Sequence, residues 1–313
     1  MKAIIINEFG GTDKLIHTEV PTPETGENEV LVKVRALSIN PVDTKTRAGK
    51  GMAGRLKDEF PITLGWDISG VVEKAGSAVT RFKAGDEVFG MVNFPGHGRA
   101  YAEYVAAPAG HLALKPANIT HQQAAAATLA ALTAYQALYK HTKLQKGQRI
   151  LVHAAAGGVG HFVVQMAKHI GAHVIGTSSV ANRDFLKGIG LDEHIDYKSQ
   201  DFTKVVKDVD LVFDTLGPES VAQSIGVVRS GGTIVSIPTT IPADIVEKAK
   251  ENGVHAFFFL VQSSGEDMQA IADLLEKGIL TPYVNHYDFS QMDIAHQQQE
   301  TAGTRGKIVL TIA

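Results

Sequence analysis

Residues 150–171 constrain the fold more than any other stretch. Ile150-Leu151-Val152 is a wholly apolar run of the kind that forms a strand buried on both faces. It leads into His153-Ala154-Ala155-Ala156-Gly157-Gly158-Val159-Gly160. Apolar residues then recur at helical spacing from Phe162 to Ile170, and Gly171 stops the helix. Strand, glycine turn and helix together make the dinucleotide-binding fingerprint. Gly157 leaves room for a pyrophosphate against the backbone, and Gly160 lets the helix pack close to the strand. The turn, Ala156 to Val159, brings unpaired N–H groups at a helix N-terminus to the phosphates. Ala155 replaces the first glycine of the pattern and is small enough for a tight turn.

The flanking pattern suggests two domains, which a chain of 313 residues also favours over one core. In the first third, residues 29–37, 68–75, 86–92 and 101–106 read as short strands, with Gly76 and Gly85 at turns. That pattern implies a barrel-like β domain. Residues 121–139 are alanine-rich and read as one or two helices. Strands then fit 150–153, 173–177, 211–214, 233–236 and 255–260, with helices between them, the signature of a doubly wound parallel sheet. A helix at 268–278 and a strand at 307–312 follow. The expected division is 1–122 with 263–313, and 123–262.

Composition excludes several classes of function. The chain has no cysteine, which rules out disulfides, thiolate catalysis and cysteine-ligated metal sites. A net charge of −3 supplies no basic surface for nucleic acid. No apolar run is long enough for a membrane span or a signal peptide, so a cytoplasmic protein is expected.

A dinucleotide site usually carries an acid about 20 residues beyond the fingerprint, bonded to the ribose hydroxyls. Here Thr177-Ser178-Ser179 stands in that place, and Arg183 follows. Hydroxyls and a guanidinium suit a 2′-phosphate, so NADPH is expected over NADH. The same hydroxyls also read as a helix cap, and a shifted turn would present Asp184 to a ribose instead.

Five stretches carry a family resemblance: 37–43 (Leu-Ser-Ile-Asn-Pro-Val-Asp), 61–70 (Pro-Ile-Thr-Leu-Gly-Trp-Asp-Ile-Ser-Gly), 85–90, 131–135 (Ala-Leu-Thr-Ala-Tyr) and the fingerprint. In this order and spacing the whole chain resembles the zinc-free quinone oxidoreductase (zeta-crystallin-like) branch of the medium-chain dehydrogenase/reductase superfamily. The resemblance implies a Rossmann sheet plus a co-chaperonin-like (GroES-like) β-barrel domain closed by the C-terminal segment. It also implies an NADPH site in a cleft between the domains, and a homodimer formed through the 257–261 strand.

Zinc members carry a His-Glu pair after the glycine at position 65, where this chain has Trp66-Asp67. Asn40 stands in the region of their first zinc-binding cysteine. No metal is therefore expected. Without a Lewis acid, the alkoxide from a simple ketone is poorly stabilised, whereas hydride added to a quinone or enone leaves charge spread over the conjugated system.

Asn40 is the first candidate to hydrogen-bond the acceptor, although Asn40-Pro41 also reads as a turn. Asp43 lies in the same element as an orienting group. Thr133 falls, by resemblance, beside the nicotinamide, or is an ordinary helical threonine. Tyr197 joins Arg183, Ser178 and Ser179 in a 2′-phosphate pocket, or packs at a strand end. Backbone groups at Leu216, Gly217 and Ile237 follow two strands whose carboxyl ends face the cofactor, while Asp214 also reads as a helix cap. Trp66, Phe258 and Phe259 line the acceptor pocket, or are core. In the Arg305-Gly306-Lys307 run, one cation meets cofactor phosphate or the turn is simply solvated.

The expected function is NADPH-dependent, metal-independent reduction of quinones or related conjugated carbonyls. An enone/alkenal double-bond reductase and a non-catalytic NADPH-binding protein are the alternatives.

Overall fold

The computed structural model describes residues 1–301 and 303–312. The chain divides into a first unit, Met1–Leu132 with Gln262–Ala313, and a second, Thr133–Val261.

The second unit is a six-stranded sheet with every pairing parallel. Its spatial order is Glu193–Asp196, His173–Ser178, Arg149–Val152, Val209–Asp214, Val228–Ser236, His255–Phe258. In chain order this is 3-2-1-4-5-6, the doubly wound arrangement, in which ligands bind outside the carboxyl ends of the strands. The apolar runs are inside: Leu151, Ile175, Val212 and Ile234 share one core with Val221 and Ile225 from the connections. Phe162, Val163 and Met166 bury the inner face of helix Gly160–Ile170, which ends at Gly171 in the left-handed region with φ 92°.

The first unit is all-antiparallel except where Val284–Asp288 runs parallel to Lys307–Thr311. From that pair the sheet continues through Glu29–Ile39, Asp67–Ala75, Glu87–Met91 and Leu112–Leu114, with Tyr104–Pro108 also on Glu29–Ile39. Two register shifts between Glu29–Ile39 and Asp67–Ala75 bend the sheet. A smaller sheet joins Ile16–Glu19, Lys2–Ile6 and Ile62–Thr63.

Several elements differ from the sequence reading. The alanine-rich stretch is two helices, His121–Ala126 and Leu129–Tyr135, followed by a π-helical turn, Gln136–His141. Ala125 and Ala126 pack on Ala36 and Val309, so the first unit extends ten residues past the expected boundary at 122. The 101–106 strand starts only at Tyr104, because the backbone at Tyr101 and Ala102 pairs with Ile4 and Ala3 of the smaller sheet instead. Asn40-Pro41 opens helix Pro41–Arg47 rather than a free turn.

Ser69, His121 and Glu87 are aligned like a hydrolytic triad, at 2.8 Å and 3.2 Å. Ser69, however, is fully buried and donates to Val88 O. The three side chains instead fasten helix His121–Ala126 to the sheet. Among the described residues, no helix is long and apolar enough to cross a membrane.

Candidate active site

In the second unit the fingerprint turn sits at the carboxyl end of the Arg149–Val152 strand. Ala154 adopts φ 48°, an uncommon conformation for a residue with a side chain. At Gly160 an added Cβ would lie 2.4 Å from Ala154 O and 2.8 Å from Ala155 Cα, so only glycine brings the helix this close. Ala155 is accommodated in turn by Gly176, whose missing side chain leaves space for the alanine methyl. Among the described residues, the N–H groups of Ala156, Gly158 and Val159 find no acceptor in the protein. Three unsatisfied donors at a helix N-terminus are what a pyrophosphate needs.

His153, which pattern reasoning passed over, holds this turn. Ala154 N–H donates to Thr177 Oγ1 at 3.2 Å, and Ser224 Oγ donates to Ser220 O at 2.7 Å. With the Ser224 proton committed, Nε2 of His153 is the donor to Ser224 Oγ at 3.0 Å. Nδ1 then accepts from Thr177 Oγ1 at 3.3 Å. Thr215 Oγ1 donates to His153 O at 3.0 Å. The imidazole therefore ties the ends of strands Arg149–Val152 and His173–Ser178 to the end of helix Pro218–Ser224 in one neutral tautomer. Burial pushes its pKa down to about 4, against the pull of Asp214.

That depression makes His153 an acid-sensitive point. An unfolded histidine takes up its proton near pH 6.5, whereas the folded one resists until about pH 4. The stability it contributes is complete above pH 6.5 and is lost as pH falls through 4. Between pH 7 and pH 5 the loss is about 2 kcal/mol. His153→Gln keeps a donor and an acceptor but cannot titrate, so its urea midpoint should fall less over that interval. Equal losses in both proteins would remove His153 from the acid response.

At the neighbouring strand ends, Ser178, Ser179 and Tyr197 come together, with Tyr197 N–H donating to Ser178 O at 3.3 Å. Arg183 begins the next helix, is exposed, and lies 3.6 Å from Asp184. Ser178 is buried. Its hydroxyl donates to Ser179 O at 3.0 Å and meets His194 Nε2 at 2.8 Å.

Asp214 closes the far side. It accepts from Ser236 Oγ at 2.7 Å, Gly217 N–H at 3.0 Å and Leu216 N–H at 3.2 Å, and Ile237 N–H donates to its carbonyl. The amides of Leu216, Gly217 and Ile237 are thus already committed, and the carbonyls of Leu216 and Ile237 are what these loops can offer. Phe259 is buried against the His141 ring, with centroids 4.6 Å apart, and Phe258 is half-buried. Thr133 is buried in helix Leu129–Tyr135.

In the first unit, Asn40 and Asp43 meet in a buried charge cluster. Asp43 Oδ2 accepts from Asn40 N–H at 2.5 Å. Asn40 Nδ2 donates to Asp67 Oδ2 at 2.7 Å, and Lys307 Nζ donates to Asn40 Oδ1 and to Ile39 O. Ser38 Oγ and Leu129 N–H also donate to Asp67. Lys307 is 3 % exposed, so its tail is neither a solvated turn nor a surface cation. Two carboxylates face one ammonium out of water. Burial and the Asp67 charge push Asp43 up to about 7, and burial lowers Lys307 against the pull of both acids. Taking up one proton at Asp43 leaves the cluster neutral. Asp43 Oδ1 has no hydrogen bond, and beyond it Tyr101 bonds His296, which bonds Arg47. Burial and Arg47 hold His296 down at about 3. Trp66 is buried too, its Nε1–H donating to Gly96 O at 2.6 Å.

Residues 26–117 match the alcohol dehydrogenase GroES-like domain, and 189–310 match a zinc-binding dehydrogenase domain. The chain is similar to 2-methylene-furan-3-one reductase of Solanum lycopersicum, with 35% identity over 99% of this chain and 79% of the relative. It is also similar to the quinone oxidoreductase structure from Coxiella burnetii, at TM-score 0.95 and 39% identity, covering 100% of this chain and 99% of that one. The Escherichia coli quinone oxidoreductase complexed with NADPH superposes at TM-score 0.88 and 27% identity, with both chains fully covered.

Proposed function

The chain belongs to the quinone oxidoreductase branch of the medium-chain dehydrogenase/reductase superfamily, and we propose from that membership that it passes hydride from NADPH to quinones or related conjugated carbonyls. The observation that carries the reading is the set of unpaired amides at Ala156, Gly158 and Val159, beside a sheet of dinucleotide-binding order. These fit the diphosphate of a nicotinamide nucleotide. When bound, NADPH supplies the hydride.

The protein's residues bind and orient. The turn amides hold the diphosphate, with His153 and Asp214 fixing the loops around it. Arg183, Tyr197 and Ser179 supply the 2′-phosphate contacts. Asn40 keeps one amide hydrogen beyond the one given to Asp67, and offers it to the acceptor oxygen. Asp43 acts by orienting Asn40. In a conjugated acceptor the developing charge is spread, so few donors suffice.

One of the matched family descriptions names zinc, and the donor set here does not fit that ion. The sequence has no thiolate, and the oxygens of Asn40 and Asp67 already face the Lys307 ammonium. Among the described residues, no three histidine or carboxylate side chains converge as metal ligands. Metal-independent reduction is the corresponding proposal. A cytoplasmic homodimer completes the reading, supported by the open edge strand His255–Phe258.

The likeness to a furanone reductase favours a second reading, reduction of an enone carbon–carbon double bond. Absorbance of the reduced nicotinamide, followed with NADPH or NADH and a panel of benzoquinone, naphthoquinone and a simple enone, separates the two. NADPH-selective oxidation by quinones is the expected result. Turnover with the enone alone selects the second reading, and tight NADPH binding without turnover leaves a binding protein.

A further inference from the structure

The 2′-phosphate region contains a histidine that the sequence pattern did not single out. His194 lies in strand Glu193–Asp196, where it pairs in register with Gly176 of the neighbouring strand. His194 Nε2 is 2.8 Å from Ser178 Oγ. Because that hydroxyl gives its proton to Ser179 O, the imidazole must be the donor to it. Ser178 is therefore spent on holding His194, and its hydroxyl is not free for a ligand.

We propose that His194 is a specificity-determining residue, which carries a proton when a 2′-phosphate is bound and so makes discrimination between NADPH and NADH depend on pH. This rests on the NADPH reading above and names a residue and a proton that the reading does not contain.

The groups around the ring are Arg183 and Lys187 on the preceding helix, Asp196 on its own strand, Ser178 at the end of the neighbouring strand and Ser179 just after it. In the free protein, burial and the two cations outweigh Asp196 and the Ser179 carbonyl, and hold His194 below its ordinary value. A phosphate dianion placed among Ser179, Arg183 and Tyr197 reverses that balance, since a nearby negative charge favours the imidazolium. Binding then takes up a proton. The extra affinity is complete below the free pKa of His194 and is lost as pH rises through the raised pKa of the complex. A ligand without the 2′-phosphate lacks the effect.

The test uses the full-length protein and two small probes, adenosine 2′,5′-diphosphate and 5′-AMP, by titration calorimetry at pH 6.5 and 8.5. In this range the phosphates are mainly dianionic. Two buffers of different ionisation enthalpy report the protons taken up. For the wild type, the diphosphate should bind about tenfold more tightly at pH 6.5, with proton uptake, and 5′-AMP nearly equally at both. His194→Gln should lose both the uptake and the pH dependence for the diphosphate while binding 5′-AMP as before. Ser178→Ala, which frees the ring, should reduce the uptake, and it stands in if His194→Gln fails to bind 5′-AMP. Proton uptake that persists in His194→Gln, or a wild type that prefers the diphosphate without uptake, overturns the proposal. Equal wild-type affinity for both probes at either pH overturns the NADPH reading itself.

Discussion

Lys307→Met is expected to be among the most damaging single substitutions in the chain. Methionine fills a similar volume, so the change removes a charge and little packing. It leaves Asp43 and Asp67 facing each other with no cation, and Asn40 Oδ1 and Ile39 O without a donor. Breaking one side of a buried ion pair costs about 3–5 kcal/mol, a large share of the roughly 5–15 kcal/mol that stabilises an ordinary domain. The melting temperature should fall by about 10 °C or more, and soluble yield should fall with it. Asp43→Asn has the opposite sign. Because Asp43 is raised to about 7, its contribution to stability is complete at acid pH and is lost as pH rises through neutrality. Above pH 8 the asparagine variant should equal or exceed the wild type. If Lys307→Met unfolds at the wild-type denaturant midpoint, the ammonium is not what neutralises the cluster.

Gly160→Val should have the largest effect on cofactor binding. The new Cβ would fall within 2.4 Å of Ala154 O, a backbone atom that has no rotamer to yield. The helix must withdraw from the strand, carrying the turn amides out of alignment. Displacements near an ångström in positioned groups cost about 100-fold, and the dissociation constant for NADPH, read from reduced-nicotinamide fluorescence, should rise by at least that. The first unit contains none of these atoms, so far-ultraviolet circular dichroism should keep most of its β signal. Binding within threefold of wild type would mean that the close approach at Gly160 is not what aligns the turn.

The nucleotide-binding sheet was largely legible in the sequence because its strands are buried on both faces, and unbroken runs such as Ile150-Leu151-Val152 announce themselves. The strand Val228–Ser236 begins five residues before the expected position 233, because Gly231-Gly232 looks like a break and is instead absorbed by a register shift. What could not be read was pairing between charges far apart in sequence. Lys307 reaches Asn40 across 267 positions, and a lysine beside glycine before a last strand reads locally as a solvated turn. His153 and Ser224 are 71 residues apart, and His194 is 16 from Ser178. A histidine at a strand end has no periodicity to betray its partner. The resemblance pointed to Asn40 and Asp43, but the bonds that fix them belong to tertiary structure alone.

The position of strand Lys307–Thr311, between Glu29–Ile39 and Val284–Asp288, bears on how the chain is made. On the ribosome, the sequence of the second unit is complete once Val261 has emerged. The first unit is begun earlier but stays open, lacking an interior strand and the ammonium of its buried cluster, until residue 311 has been added. Translation therefore delivers a chain whose middle can fold while its leading segment waits. During that interval Asp43 and Asp67 have no counter-ion, and the exposed margin of Glu29–Ile39 is a pairing surface for chaperones or for other nascent chains.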